Sequence, residues 1–281
     1  MLQKKHMGSR ILKYYLAFWV FGFLFFGGAG IPGNPGGQTL YAQEMAGRTG
    51  YEESARDSDG LSEAWLETLR ERPEELKQMY TADAVRVFAD GNTLQGDDQL
   101  AALWTDQDLE VDSLATIGLL EPHDDTYRYE VSELTLRDGR TFRMLVIWNL
   151  EWPGPRRELE MVEEVRPVKN YREQLKVRRT QWMSHCNAHE VDQLVRELYT
   201  PDARYYNHRP MITGREALIN TYQYMRNPRY KLSLEPLLVA PVNEKLIFEI
   251  GQCSGSYPGK YILVWTRDEE GKWWIMMDSN I

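Results

Sequence analysis

Cysteine is nearly missing from this chain: Cys186 and Cys253 are the only two in 281 residues. Two cysteines cannot form the framework of bridges that staples a small disulfide-rich fold, so an ordinary core must hold the molecule together. The pair reads either as one disulfide, which export would permit, or as two small buried hydrophobes. Basic residues are also in deficit. Lys and Arg number 33 against 42 Asp and Glu, and the formal charge is −9. That acidity favours solubility and excludes a general nucleic-acid binder, which needs a basic face. Long apolar runs are scarce. The prominent one, Tyr14 to Phe26, falls short of the roughly 20 residues that a membrane-spanning helix needs.

Residues 1–42 lack acids altogether. A basic start (Lys4, Lys5, Arg10, Lys13), the apolar run and a Gly/Pro-rich stretch to Ala42 read together as a targeting segment. The short run favours a cleaved signal peptide, and a retained N-terminal anchor is the alternative. No cysteine lies nearby, which excludes lipidation there. The protein is therefore expected to be exported, periplasmic or secreted, with membrane contact only if the segment stays attached. Residues 43–60 are polar and glycine-containing and read as a flexible leader.

What the chain does have, it has twice. Residues 79–100 read MYTADAVRVFADGNTLQGDDQL and residues 198–218 read LYTPDARYYNHRPMITGREAL. Tyr80, Thr81, Asp83 and Ala84 match Tyr199, Thr200, Asp202 and Ala203 at one constant offset. Gly96 and Leu100 match Gly214 and Leu218 after the loss of one residue. A repeat this long is a duplicated domain, not a solenoid unit.

Around each copy the periodicity is the same. Leu61, Trp65 and Leu69 predict a first amphipathic helix, and Pro73-Glu74-Glu75 starts a second. A strand follows from Ala84, then a helix from Asp97 to Trp104. Four strands are expected at 113–121, 126–136, 140–150 and 158–165, with a hairpin at Asp138-Gly139. The second copy repeats this order. Leu175, Trp182, Met183 and Cys186 mark one helix, and Val191, Leu194, Val195, Leu198 and Tyr199 form the full apolar stripe of the next. A strand is expected at 203–207, a helix at 215–225, and strands at 230–239, 245–253, 260–267 and 272–279. The fold class is thus α+β: two tandem domains, 61–165 and 172–281, joined by a linker at 166–171. Each has three helices against an antiparallel sheet.

This order, with the Tyr-Thr-Pro-Asp-Ala box at a helix–strand junction, resembles the SnoaL-like and ketosteroid-isomerase-like proteins of the nuclear transport factor 2-like superfamily. The second copy is the closer match, and the first is recognised mainly through it. The resemblance implies cone-shaped domains whose strongly bent antiparallel sheet wraps an apolar pocket. It says little about activity, because one fold hosts many functions. Ketosteroid isomerase chemistry needs a carboxylate base and an oxyanion hole made by a tyrosine and a protonated acid. By position, the resemblance puts the base at Asn207 or Phe88, the oxyanion acid near Leu263 and the tyrosine near Trp182 or Met183. None of these can fill its role.

The remaining candidates are few. His185 and His189 have a metal-binding spacing, but Asn187-Ala188 is expected to break the helix between them. No metal, no cofactor and no catalytic residue is assigned. Strand alternation puts Tyr205 and Asn207 on one face and Tyr206 and His208 on the other. Trp182, Tyr205 and Asn207 are accordingly expected to contact a ligand. Of the adjacent Trp273 and Trp274, one faces in, and the outward one would suit packing between domains or subunits. The cations Arg166, Lys169, Arg172, Lys176, Arg178 and Arg179 are expected on a solvated face or paired with the acidic first domain.

The leading expectation is a non-catalytic protein that binds a small apolar ligand in the second cone. One alternative is a lyase or isomerase acting on a cyclic carbonyl substrate through His185, His208 or Asp278. The other is a structural module, a homodimer or an internal pseudo-dimer packed sheet to sheet.

Overall fold

The same recipe is carried out twice, with the same strand order. In this computed structural model, the described residues are 60–280 apart from 108, 122–125, 152 and 208–209. The targeting segment, nearly all of the leader, and His208 lie outside them. Among the described residues, no helix is long and apolar enough to cross a membrane.

The first half runs α1 (Leu61–Glu71), a 3-10 turn (Pro73–Met79), β1 (Tyr80–Val87), β2 (Thr93–Gln95) and α2 (Asp97–Thr105). Then come β3 (Val111–Leu120), β4 (Tyr127–Leu136), β5 (Thr141–Asn149) and β6 (Arg156–Glu164). The second half runs α3 (Arg172–Ala188), α4 (Val191–Leu198), β7 (Tyr199–Tyr206), β8 (Ile212–Thr213), α5 (Arg215–Thr221) and a 3-10 turn (Tyr222–Arg226). It ends with β9 (Leu232–Asn243), β10 (Leu246–Gly255), β11 (Gly259–Arg267) and β12 (Trp273–Ser279). The two sheets have six strands each, ordered β2-β1-β6-β5-β4-β3 and β8-β7-β12-β11-β10-β9.

The sheets are mixed, not antiparallel throughout as the sequence suggested. β6 closes against β1, and β12 against β7, as parallel pairs. A parallel pair needs a long crossover, and the intervening helix and meander supply it. Two further differences are local. The segment after Pro73 winds as a 3-10 turn, whereas its counterpart α4 stays α-helical up to the strand. The helix expected to Met225 tightens to 3-10 after Thr221. The glycines matched in the two repeats have a shared reason: Gly96 and Gly214 take φ of 108° and 90° just before α2 and α5. L side chains rarely adopt that conformation.

Alternation along the strands divides the interior into three parts. From β5, Met144, Val146 and Trp148 pack against α1 and α2, in a core that also holds Trp65, Leu76, Leu100 and Trp104. From β11, Tyr261, Leu263 and Trp265 pack against α3, α4 and α5. The opposite residues, Leu145 and Ile147 from β5 with Ile262 and Val264 from β11, lie in a third core built from both sheets. The halves are tied by polar contacts there as well. Tyr206 Oη donates to Glu158 Oε1 at 2.5 Å, and the Arg166 amide to the Val242 carbonyl at 2.8 Å.

One irregularity recurs at matched places. The register of β5 against β6 slips between Ile147 and Trp148, leaving Glu158 as the extra residue. The register of β11 against β12 slips between Val264 and Trp265, leaving Met276. A bulge of this kind re-aims every side chain beyond it. Trp273 and Ile275 face the helices; Met276 and Met277 both face the shared core. Asp278 is thereby turned back toward the helices, and Glu160 is turned the same way in the first half.

Candidate functional site

The tyrosine of the repeated box supplies the first member of the site. Tyr199 stands where α4 ends and β7 begins, fully buried. Its Oη donates to Asp278 Oδ2 at 2.6 Å, and it receives the indole N–H of Trp182, on α3, at 2.9 Å. Tyr222, from the 3-10 turn after α5, donates to the same carboxylate oxygen at 2.5 Å. Two phenols and one carboxylate thus converge from three elements, and no cation joins them in these contacts.

Asp278 is 5% exposed. Burial pushes its carboxyl up to about 6, against the hydrogen bonds from Tyr199, Tyr222 and the Ser279 backbone, which favour the ionised form. The same burial holds both phenols well above their usual range, with the Asp278 charge adding to it. A carboxyl near 6 releases and recovers a proton close to neutrality, as a general base or acid must.

This carboxylate borders a cavity of about 20 Å³, lined among others by Trp182, Tyr222, Tyr224, Tyr230, Leu263 and Cys253. That volume holds a water-sized group and little more. Tyr224, which is 44% exposed, stacks edge-on against Tyr230, with ring centroids 5.2 Å apart, and both rings line the cavity. Tyr261 reaches the cavity because residue 251 is glycine: a Cβ there would lie 2.2 Å from its ring. Behind it, Tyr261, Trp265 and Arg179 all donate to the buried carboxylate of Glu249. Arg179 therefore pairs within its own half, not with the acidic first half.

The sequence-predicted residues divide. Trp182 lines the cavity and steers Tyr199. Tyr205 lies beside the cavity, its ring centroid 5.5 Å from that of Tyr222, its hydroxyl on Asn280 Oδ1 at 2.5 Å. Asn207 lies past the end of β7, exposed, with its amide on Tyr205 Oη and Asn280. Asn207 is thus a prop at the rim and not part of the lining. His185 is held at the surface between Glu190 and Glu197. His189 caps α3 in the left-handed conformation (φ 66°) and contacts the Met225 carbonyl, so the two histidines do not act as a pair. Trp274 is ringed by Lys272, Arg178 and Arg215, away from the core that joins the halves. Both cysteines are free and buried, their thiols pushed up to about 12 by that burial.

An acid does stand beside the place where the resemblance puts one, on the neighbouring strand. Leu263 is the direct cross-strand neighbour of Asp278.

The first half contains the same design with a different outcome. Trp65 donates to Tyr80 Oη at 3.2 Å, and Tyr80 to Glu160 Oε2 at 3.1 Å. Trp104 donates to Glu160 Oε1 at 3.3 Å. Here, however, Arg157 Nη1 sits 3.0 Å and Arg86 Nη1 3.5 Å from the carboxylate. By register, Arg157 opposes Tyr80 as Ile275 opposes Tyr199, and Arg86 opposes Glu160 as Tyr205 opposes Asp278.

No family model matches this chain, and no curated protein matches it. Solved structures do. A cystatin-like domain of unknown function from Nostoc punctiforme aligns over 41% of this chain and 78% of its own, at 16% identity and a TM-score of 0.35. A ketosteroid isomerase-like protein from Erwinia carotovora atroseptica aligns over 42% of this chain and 100% of its own, at 15% identity and a TM-score of 0.31. A nuclear transport factor 2-like protein of unknown function from Shewanella oneidensis aligns over 38% and 95%, at 11% identity and a TM-score of 0.34. These are likenesses of fold, and none carries a conclusion about chemistry.

Proposed function

We propose that the second half is an acid–base site for a small neutral carbonyl compound, with Asp278 moving the proton and Tyr199 and Tyr222 as hydroxyl donors beside it. The observation behind this reading is a carboxylate that burial pushes up to about 6, bordering a cavity and bonded only to neutral donors among the contacts described. The reaction class is lyase or isomerase on an enolisable, cyclic carbonyl substrate. Tyr224 and Tyr230 must swing aside to admit it, since the resting cavity is water-sized. The expectation of a non-catalytic pocket rested on the lack of acid–base groups, and Asp278 removes that premise.

The test needs no knowledge of the natural substrate. In D2O, the protein is mixed with a panel of cyclic ketones and exchange of their α-hydrogens is followed by NMR. Asp278→Asn is expected to lower any protein-dependent exchange by about 10²-fold or more, the range of general acid–base catalysis. Exchange equal in the two proteins, or absent across the panel, would sink the reading.

The aromatic lining favours a second reading, a non-catalytic pocket for a small apolar ligand. It predicts quenching of Trp182 fluorescence by apolar ligands, with no exchange. We propose in addition that residues 61–165 and 172–281 act as an internal pseudo-dimer through the shared core, and that the apolar N-terminus directs export. Sequencing the N-terminus of protein recovered outside the cytoplasm checks the latter.

A further inference from the structure

Arg157 has more donors than the protein offers it acceptors. Its side chain is wholly buried. The guanidinium carbon lies 3.7 Å from the centroid of the Trp65 ring and 5.1 Å from that of Trp148, so aromatic rings occupy its surroundings. Nη1 is used on Glu160. Nε and Nη2 are buried without a hydrogen-bond partner among the described residues.

These two atoms are not an arbitrary pair. They form the edge of the guanidinium that grips a carboxylate or other planar oxyanion through two parallel N–H bonds. Buried donors of this kind are almost always partnered, and charged ones most of all. A second orphan points the same way: Arg86 Nε is buried and unpartnered, while Nη1 faces Glu160 and Nη2 reaches the Val162 carbonyl at 3.5 Å. Two guanidinium groups, Arg157 wholly buried and Arg86 nearly so, face one carboxylate, Glu160.

We propose that the first half binds a small monovalent oxyanion, a carboxylate of formate or acetate size or a nitrate, side-on along the Nε–Nη2 edge of Arg157. Arg86 supplies the remaining charge balance. Nothing comparable is expected in the second half, where Ile275 and Tyr205 hold the corresponding register positions.

The test uses the whole protein in a bulky sulfonate buffer. Formate, acetate, nitrate and chloride are titrated in at constant ionic strength, with the Arg157 Nε–H NMR signal and Tm as readouts. The oxyanions are expected to shift that signal saturably and to raise Tm. Chloride, which cannot bridge two parallel N–H groups as an oxyanion does, should act more weakly. Arg157→Lys assigns the signal and should abolish the saturable Tm response. Should that variant not fold, a crystal of the unaltered protein grown in acetate decides the matter by itself. Density for a bidentate oxyanion supports the proposal, and a lone water along that edge overturns it. A response to chloride as strong as to acetate, or one that never saturates, overturns it too.

Discussion

The two halves build one polar motif and spend it differently. In each, an indole from the first helix steers the tyrosine of the repeated box onto an acid that a bulge has turned toward the helices. In the first half the acid meets Arg157 and Arg86, becomes one end of a buried ion cluster, and is 0% exposed. In the second, the corresponding positions are Ile275 and Tyr205, the acid has only neutral donors among the described residues, and a cavity remains beside it. Two positions therefore separate a carboxylate that faces two cations from one bonded to neutral donors beside a cavity. A buried carboxylate without a cation beside it shifts its proton affinity upward.

The largest effect is expected from breaking the ion-paired side. Arg157→Ala removes a wholly buried side chain, its ion pair with Glu160 and its contacts with the Trp65 and Trp148 rings, and should cost about 3–5 kcal/mol in chemical denaturation. A cost below about 1 kcal/mol would mean that Arg86 alone balances Glu160, and that the contrast with Asp278 is overstated.

Next comes the pH dependence of the second side. The folded Asp278 carboxyl sits at about 6, against an ordinary value of 3.8, so between these values the folded chain holds a proton that the unfolded chain has released. Stability should then fall as pH rises through that window, by up to about 3 kcal/mol from this group. Asp278→Asn is expected to remove that part of the slope. Unfolding free energies of both proteins across the window give the difference directly, and identical slopes would contradict the placement of Asp278.

The smallest effect sharpens the comparison. Tyr222→Phe deletes a donor that favours the ionised carboxylate, so the Asp278 midpoint should rise further, by on the order of one unit. Carboxyl 13C NMR reads this, and a fall would mean that the lost phenol mattered more as a screen against water than as a donor.

Much of the fold was legible beforehand, for local reasons. The stripe from Val191 to Tyr199 could only be a helix with one buried face, and Asp138-Gly139 could only be a tight turn, with Gly139 at φ 89°. The mixed character of the sheets was not legible. Parallel closure of β6 on β1 and β12 on β7 is a choice between distant partners, made by the shape of the whole meander. The site was legible only in part. Helical spacing placed Trp182 on the face that lines the cavity, whereas Tyr205 lies beside it and Asn207 sits exposed beyond the last paired residue of its strand.

Asp278 shows most clearly where sequence reading stops. Strict alternation from Trp273 would turn residue 278 away from the helices; the bulge at Met276 reverses that, and no residue type announces it. By itself the sequence determined that one α+β unit was written twice, because the repeated box, its glycine and the apolar periods are properties of neighbouring residues. Only the tertiary structure decided which copy keeps a cation beside its acid and which keeps a cavity. That outcome depends on side chains from four separate segments meeting across parallel strands, and register at such a distance is set by packing.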